Sequence, residues 1–260
     1  MEYAFATTWS LTLLLVAARL GGMLAVCPVF SHPSVPGKLR YFLAIAMAVG
    51  ISGRLTAPAA IGESVSGLLA SLGGELLIGV AIGWTAGLVF VGVELGAYHI
   101  ASQMGLSLGE VFNPISPSAP GPLRRFFGLL SIVVFLGIGG HRMVISAVLR
   151  TFSAVPIAGA TPSPGVMEAM VSVTAVSFVL ALKVAGPVLI TLLLASAAMG
   201  MLQRSCPQFH ILSITLPIRA VLTLLVLAAA MVTLAALVES SAEIILDSIG
   251  SAITPAQQAN

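Results

Sequence analysis

The chain has 260 residues, of which 58% are hydrophobic and only 8% charged, with a formal net charge of +2. A soluble domain carries about a quarter charged residues, so this composition excludes that class and describes an all-α, polytopic membrane-class chain forming one domain. The small net charge and the absence of a basic cluster exclude nucleic acid as a partner.

The N-terminus carries Glu2 and no basic residue before Arg19, so it lacks the positive region of a cleavable signal. The first apolar segment is therefore expected to stay in the mature protein. A membrane span needs about 20 apolar residues. By that measure six segments stand out, at 9–30, 41–55, 68–99, 126–138 with a continuation to 149, 171–201 and 212–238. The second and fourth are short for a span and the third is too long for a straight one. Some helices are thus expected to be bent, paired or partly outside lipid.

The first connection, SHPSVPGKLR, places Pro33 and Pro36 before Lys38 and Arg40 and reads as an ordered turn. GATPSPG at 159–165 is the clearest linker, and Gly186 with Pro187 predicts a kink in the fifth segment. Basic residues are spread too evenly over alternate connections to set orientation. After Leu237 the chain turns amphipathic, with Glu239, Glu243 and Asp247 at four-residue spacing. This acidic stripe reads as a solvated face or, alternatively, as a docking stripe for a basic partner.

The densest pattern lies in 75–125. Gly79, Gly83 and Gly87 recur at four-residue spacing, followed by Gly92, Gly96, Gly105 and Gly109. Residues four apart share a helix face, so the first three make a ridge without side chains on which another helix can pack closely in lipid. The same stretch then meets Pro114, Pro117, Pro120 and Pro122, each lacking a backbone donor, and so ends in a stiff loop.

Arg19, Glu75, Glu94, His99, His141 and Lys183 lie in or at the ends of apolar segments. Charges in hydrocarbon are costly, so such residues face a bundle interior, a partner or a cavity. Interhelical pairing is the economical explanation, Glu75 with Lys183 being one conceivable pair; a proton or ion path is the sharper one. Enzymatic patterns do not hold together. Ser107 sits in a GxSxG string, but a nucleophile elbow needs a preceding strand and a later acid and histidine, and no histidine follows Asp247. No HExxH occurs, Lys38 lacks the rest of a phosphate loop, and His141 has no second metal donor nearby. No catalytic group, metal or cofactor is expected. Cys27 and Cys206 each precede a proline in apolar context and read as small buried hydrophobes, with a disulfide between them left open.

Several strings, taken in order, resemble one family. They are Arg19 followed by CPVFSHPSVPGKLR, then QMGLSLGEVFNP, then PLRRFFGLLSIVVFLGIGGHRMV, and finally VAGPVLITLLLASAAMGMLQRSCPQFHILSITLPIR. The last contains Pro187, Gly200, Arg204, Pro207 and Gln208, which physically make a helix hairpin: Pro207 stops a helix, Arg204 can bond its last carbonyls, and Gln208 can satisfy exposed backbone groups. Together these strings resemble the FliR/SctT family, membrane components of the type III protein-export gate. His210 stands where that family usually has asparagine, and Asn113 where aspartate is common; both keep a polar group at the turn.

The resemblance implies a non-enzymatic channel subunit of the bacterial inner membrane, at the flagellar basal body. Its implied partners are FliP-like and FliQ-like subunits, a FlhB-like subunit, exported protein in transit, and membrane lipid. It implies a helical multi-subunit assembly and one export-gate domain over 1–260, with N-terminal helices to 158 and a C-terminal hairpin and tail at 166–250. It further implies that 110–123 is a plug, in which Val111, Phe112, Asn113, Pro114, Ile115, Pro117, Pro120, Pro122 and Leu123 close the pore. The equivalent injectisome subunit is one alternative. A small-molecule or ion transporter using Glu75, Glu94, His141 and Lys183, or an intramembrane hydrolase using Ser107, are others.

Overall fold

The computed structural model describes residues 2–53, 55, 65–105, 121–159, 164–205 and 211–253, and every regular element among them is helical. In order these are α1 (Glu2–Val26), α2 (Pro28–Ser31), α3 (Gly37–Ser52), α4 (Val65–Met104), α5 (Pro122–Gly137), α6 (Gly140–Ala154), α7 (Pro164–Ser205) and α8 (Ile211–Ile253). The chain is an all-α, polytopic membrane-class protein.

Punctuation follows the sequence chemistry closely at most boundaries. Pro28 opens α2 at its first turn, where a missing N–H costs no helical bond. The turn after it is tied down by Arg40, whose Nη2 donates to the carbonyls of Ser31, His32 and Val35 at 2.9, 3.1 and 3.1 Å. Pro122 likewise opens α5, so Pro122 and Leu123 belong to a helix rather than to the loop expected to include them. Between α5 and α6 the chain turns at Gly139, whose φ of 77° is left-handed and suits a residue without Cβ. Val155, preceding Pro156, is extended, as steric pressure from the proline ring requires, and it ends α6.

α7 runs through Gly186 and Pro187 as one helix of 42 residues, with Pro187 inside it. Pro187 removes one backbone bond and lies on an exposed face, and the remaining turns carry the helix past it. The six apolar segments are unequal as spans, as their lengths predict. Among the described residues, Trp9–Val26, Val65–Met104 and Met170–Leu202 are long and apolar enough to cross a membrane, and a fourth exists if α5 and α6 count as one broken span. α3 has 16 residues, about 24 Å at 1.5 Å per residue, which is short of the hydrocarbon core. In α8 the apolar stretch is Thr215–Ala230.

The chain forms two compact units, with α4, α7 and α8 contributing to both. Unit one holds Met1–Leu88, Gly139–Ala175 and Ala242–Asn260. Its core is Leu15, Val16, Leu20, Met23 and Leu24 of α1 with Ile82 and Ala86 of α4 and Val144 and Val148 of α6, all essentially inaccessible. α3 packs on α1, burying only Ala44, Ala48 and Ser52 at four-residue spacing. Unit two holds Val89–Ile138 and Val176–Ser241. There Phe90 of α4 meets Phe135 of α5 at 5.1 Å between ring centres, and Leu180, Val184 and Val188 of α7 are buried.

The tail behaves as its period predicts. In α8, Val238, Ser241, Ala242 and Ile245 are buried at helical spacing, while Glu239 and Glu243 are exposed.

The α3 stripe is small because α1 lies close. Ala48→Leu should therefore cost about 1–3 kcal/mol through overpacking, whereas Ala46→Leu on the exposed side should stay within about 0.5 kcal/mol. Thermal unfolding of the purified chain in detergent reads both.

Candidate functional site

Unit one is built around a charged pair with no exposed side-chain surface on either partner. Arg19 of α1 donates from Nε to Glu75 Oε2 of α4 at 2.6 Å. Its other donors are also used: Nη1 reaches Thr151 Oγ1 at 3.1 Å and Nη2 the Val155 carbonyl at 3.3 Å. The guanidinium lies 4.3 Å from the ring centre of Phe152, a cation–π distance. Glu75 Oε1 accepts the N–H of Ala158 at 3.0 Å. Ala158 has a φ of 65°, an unfavourable conformation for a residue with a Cβ, so the carboxylate holds a strained turn. One pair thus joins α1, α4, the end of α6 and the turn after it. Glu75 is paired with Arg19; Lys183, the other conceivable partner, is exposed on α7.

The glycine ridge lies immediately beside this pair. A Cβ on Gly79 would collide with the Arg19 carbonyl, one on Gly83 would stand 2.5 Å from the Met23 carbonyl oxygen, and one on Gly87 would be in ordinary contact with the Pro28 ring. From the other side, Gly22 approaches the Leu76 carbonyl, leaving only 2.7 Å for a Cβ. The helix seated on Gly79 and Gly83 is therefore α1 of the same chain. Close approach brings Arg19 and Glu75 into bonding distance, and the bond in turn fixes the register of the two helices.

Unit two repeats the device with weaker charges. Gly92 and Gly96 of α4 face α7, where a Cβ would stand 2.7 Å from the Ser177 carbonyl oxygen and 2.9 Å from that of Ala181. Glu94 pairs with Arg124 of α5 at 3.1 Å, but the side chains are 37% and 47% exposed. Gly128 leaves room for that carboxylate, its Cβ position being 3.3 Å from Glu94 Oε1. Arg219 of α8 donates to the Gln103 carbonyl at 3.2 Å and to Ser196 Oγ at 2.8 Å, joining the end of α4 to α7. Gly105 then closes α4 with a left-handed φ of 80°, which makes it a helix stop as much as a packing residue.

Other expected residues are dispersed. His141 is half-buried at the start of α6, and its Nδ1 has no hydrogen-bond partner among the described residues. Pro187, Gly200 and Arg204 lie within α7, with open space around Gly200. Gly109, Val111, Phe112, Asn113, Pro114, Ile115, Pro117, Pro120, Ser107, Cys206, Pro207 and Gln208 fall outside the described residues. Thr151, Phe152, Ala158, Gly22 and Arg219 are the participants that pattern reading misses. Of these, only Arg219, following Pro217 at the start of an apolar run, carried a signal of the kind that singled out Arg19.

Arg19→Met should leave Glu75 buried and unpaired, at a cost of about 3–5 kcal/mol. The double variant R19M/E75M should recover most of this, retaining a loss of about 1–3 kcal/mol from the Ala158 N–H left without its acceptor. Gly79→Leu should abolish folded protein, while Gly21→Leu, with nothing within 4 Å, should not. Size-exclusion profiles and thermal unfolding in detergent separate these outcomes.

Residues 10–244 match the family model described as bacterial export proteins, family 1. Similar curated proteins are each named flagellar biosynthetic protein FliR. That of Escherichia coli (strain K12) is 29% identical over 82% of this chain and 81% of its own length. That of Caulobacter vibrioides is 27% identical over 86% and 90%, and that of Bacillus subtilis (strain 168) 24% identical over 82% and 83%. The matched region starts within α1, ends within α8 and contains both charged pairs and both glycine ridges, and on that match the chain belongs to the bacterial export proteins, family 1, the FliR/SctT family.

Proposed function

We propose that this chain is a non-enzymatic channel subunit of the flagellar type III protein-export gate, placed in the bacterial inner membrane and assembled with FliP-like and FliQ-like subunits beside a FlhB-like one. The observation that carries this reading is the family match across 10–244, joined to relatives that bear a flagellar name over most of their length.

The helix lengths support it. α4, α7 and α8 have 40, 42 and 43 residues. At 1.5 Å per residue each is about 60–65 Å long, roughly twice the 30 Å hydrocarbon core. α7 nevertheless keeps large apolar side chains exposed along its length, from Val171 to Leu202. Apolar surface beyond the bilayer needs protein to cover it, which a multi-chain assembly supplies. The transporter alternative is weakened in turn, because Glu75 and Glu94 are already engaged by arginines.

Residues 110–123 are proposed as the plug on composition. Prolines stiffen the stretch, Val111, Phe112 and Ile115 can pack in a lumen, and no charge lies between Glu110 and Arg124. Exported protein passes when this packing yields.

Gentle detergent extraction of the tagged chain from its native membrane, with mass spectrometry, tests the assembly. Stoichiometric small FliP-like and FliQ-like membrane proteins are expected; a clean monomer would return the transporter reading, and injectisome subunits the alternative system. Deleting 112–120, which spares Pro122 at the start of α5, should raise ion conductance of the assembled complex in planar bilayers. Unchanged conductance would remove the plug.

A further inference from the structure

Among the described residues, Lys183 is a basic side chain that lies in a candidate span, is exposed, and makes no ion pair. It lies near the middle of Met170–Leu202, the candidate span of α7. Its neighbours at helical spacing on the exposed side are Val179, Gly186, Pro187, Ile190 and Leu194. The opposite side of the same helix, with Leu180, Val184 and Val188, is buried. Lys183 makes no ion pair among the described residues, whose two pairs are Arg19 with Glu75 and Arg124 with Glu94. An ammonium presented from an apolar helix face to hydrocarbon is costly and calls for a counter-charge or water.

We infer that this face of α7 docks a membrane helix of a different polypeptide, one that carries an aspartate or glutamate opposite Lys183. Three features of the face fit that occupant. The charge is single and surrounded by apolar side chains, the arrangement that discriminates a complementary carboxylate from other apolar helices. Gly186, one turn away, has nothing within 4 Å of its Cβ position, so the close approach it permits is unused by the described residues. Pro187 has no N–H to give the Lys183 carbonyl, four residues back, so a backbone acceptor stands at the same point.

A second copy of this chain is a poor occupant. Glu75 and Glu94, its described acids deep in an apolar helix, are already paired, while Glu168, Glu239, Glu243 and Asp247 lie toward the ends of α7 and α8. The inference rests on the export-gate reading to the extent that the chain must have membrane partners.

The experiment uses the full tagged chain in its native membrane, as wild type, Lys183→Arg, Lys183→Met and Gly186→Leu, each also bearing a photo-crosslinking residue at Leu182. Gentle extraction reads the ratio of co-purifying membrane subunits to chain, and thermal unfolding reads the fold. Lys183→Met and Gly186→Leu are expected to cut that ratio by about tenfold or more with unfolding unchanged, while Lys183→Arg keeps it. The crosslink is expected on another protein's helix within one turn of an acid, and changing that acid to lysine should restore assembly to Lys183→Glu.

Gly186→Leu adds a better helix former into open space, so it remains informative if Lys183→Met should fail to fold. Retained partners in Gly186→Leu and Lys183→Met overturn the inference. So do crosslinks to lipid alone or to a second copy, and aqueous maleimide labelling of Lys183→Cys in the assembled complex. Wild type extracted without partners overturns both the inference and the export-gate reading, whereas wild type with partners that the variants keep overturns the inference alone.

Discussion

An arginine and a glutamate with no accessible side-chain surface can stay charged in an apolar interior only if each of their polar atoms is answered. Arg19 and Glu75 meet that condition, and most of unit one's geometry follows from how they do so. The guanidinium fork spends one donor on the carboxylate, one on the Thr151 hydroxyl and one on the Val155 carbonyl, with its face on Phe152. The carboxylate turns its second oxygen to the Ala158 N–H. A one-residue slip of α1 against α4 would leave two desolvated charges apart. The pair is therefore worth more as a register device than as a source of stability, since an apolar replacement of both partners recovers most of what breaking the pair costs.

Glycine makes this arrangement possible. Between helices in lipid there is no hydrophobic drive, so association depends on close packing and on the polar bonds that close packing permits. Gly22, Gly79 and Gly83 bring the α1 and α4 backbones to distances at which any Cβ would collide with a carbonyl. Gly92 and Gly96 do the same for α4 and α7 in unit two. Each ridge sits beside a charged pair, Arg19–Glu75 or Arg124–Glu94, and the two pairs differ mainly in exposure. The half-exposed pair is the weaker constraint, because water competes for its charges.

Much of this was legible in the sequence, and the failures are physical. Four-residue glycine spacing is a local signal, and it marked the helix stretches that approach others most closely. Arg19 and Glu75 were conspicuous as ions in apolar runs, but they are 56 positions apart, and no periodicity says which distant ion meets which. Thr151 and Phe152 were invisible because a threonine and a phenylalanine near a helix end are ordinary until an arginine arrives. Ala158 was invisible for a different reason: a left-handed turn is signalled by glycine or asparagine, and here a buried carboxylate holds the strain instead. Pro187 sits inside one continuous helix, and packing of Leu180, Val184 and Val188 on the other face of α7 accompanies it there.

The same accounting separates residues that hold the chain together from residues that point outside it. Apolar exposure alone cannot make that separation, because a lipid tail and a leucine side chain offer similar surroundings. Charge can, because an intramembrane ion without a partner has a cost that lipid does not relieve. Arg19 pairs with Glu75 and Arg124 with Glu94, while Arg219 donates from its two terminal nitrogens to Gln103 and Ser196 and its Nε has no partner among the described residues. Lys183, near the middle of a candidate span and on the exposed side, makes no ion pair among the described residues. If α7 docks a partner helix as inferred above, that residue is where its recognition has most leverage.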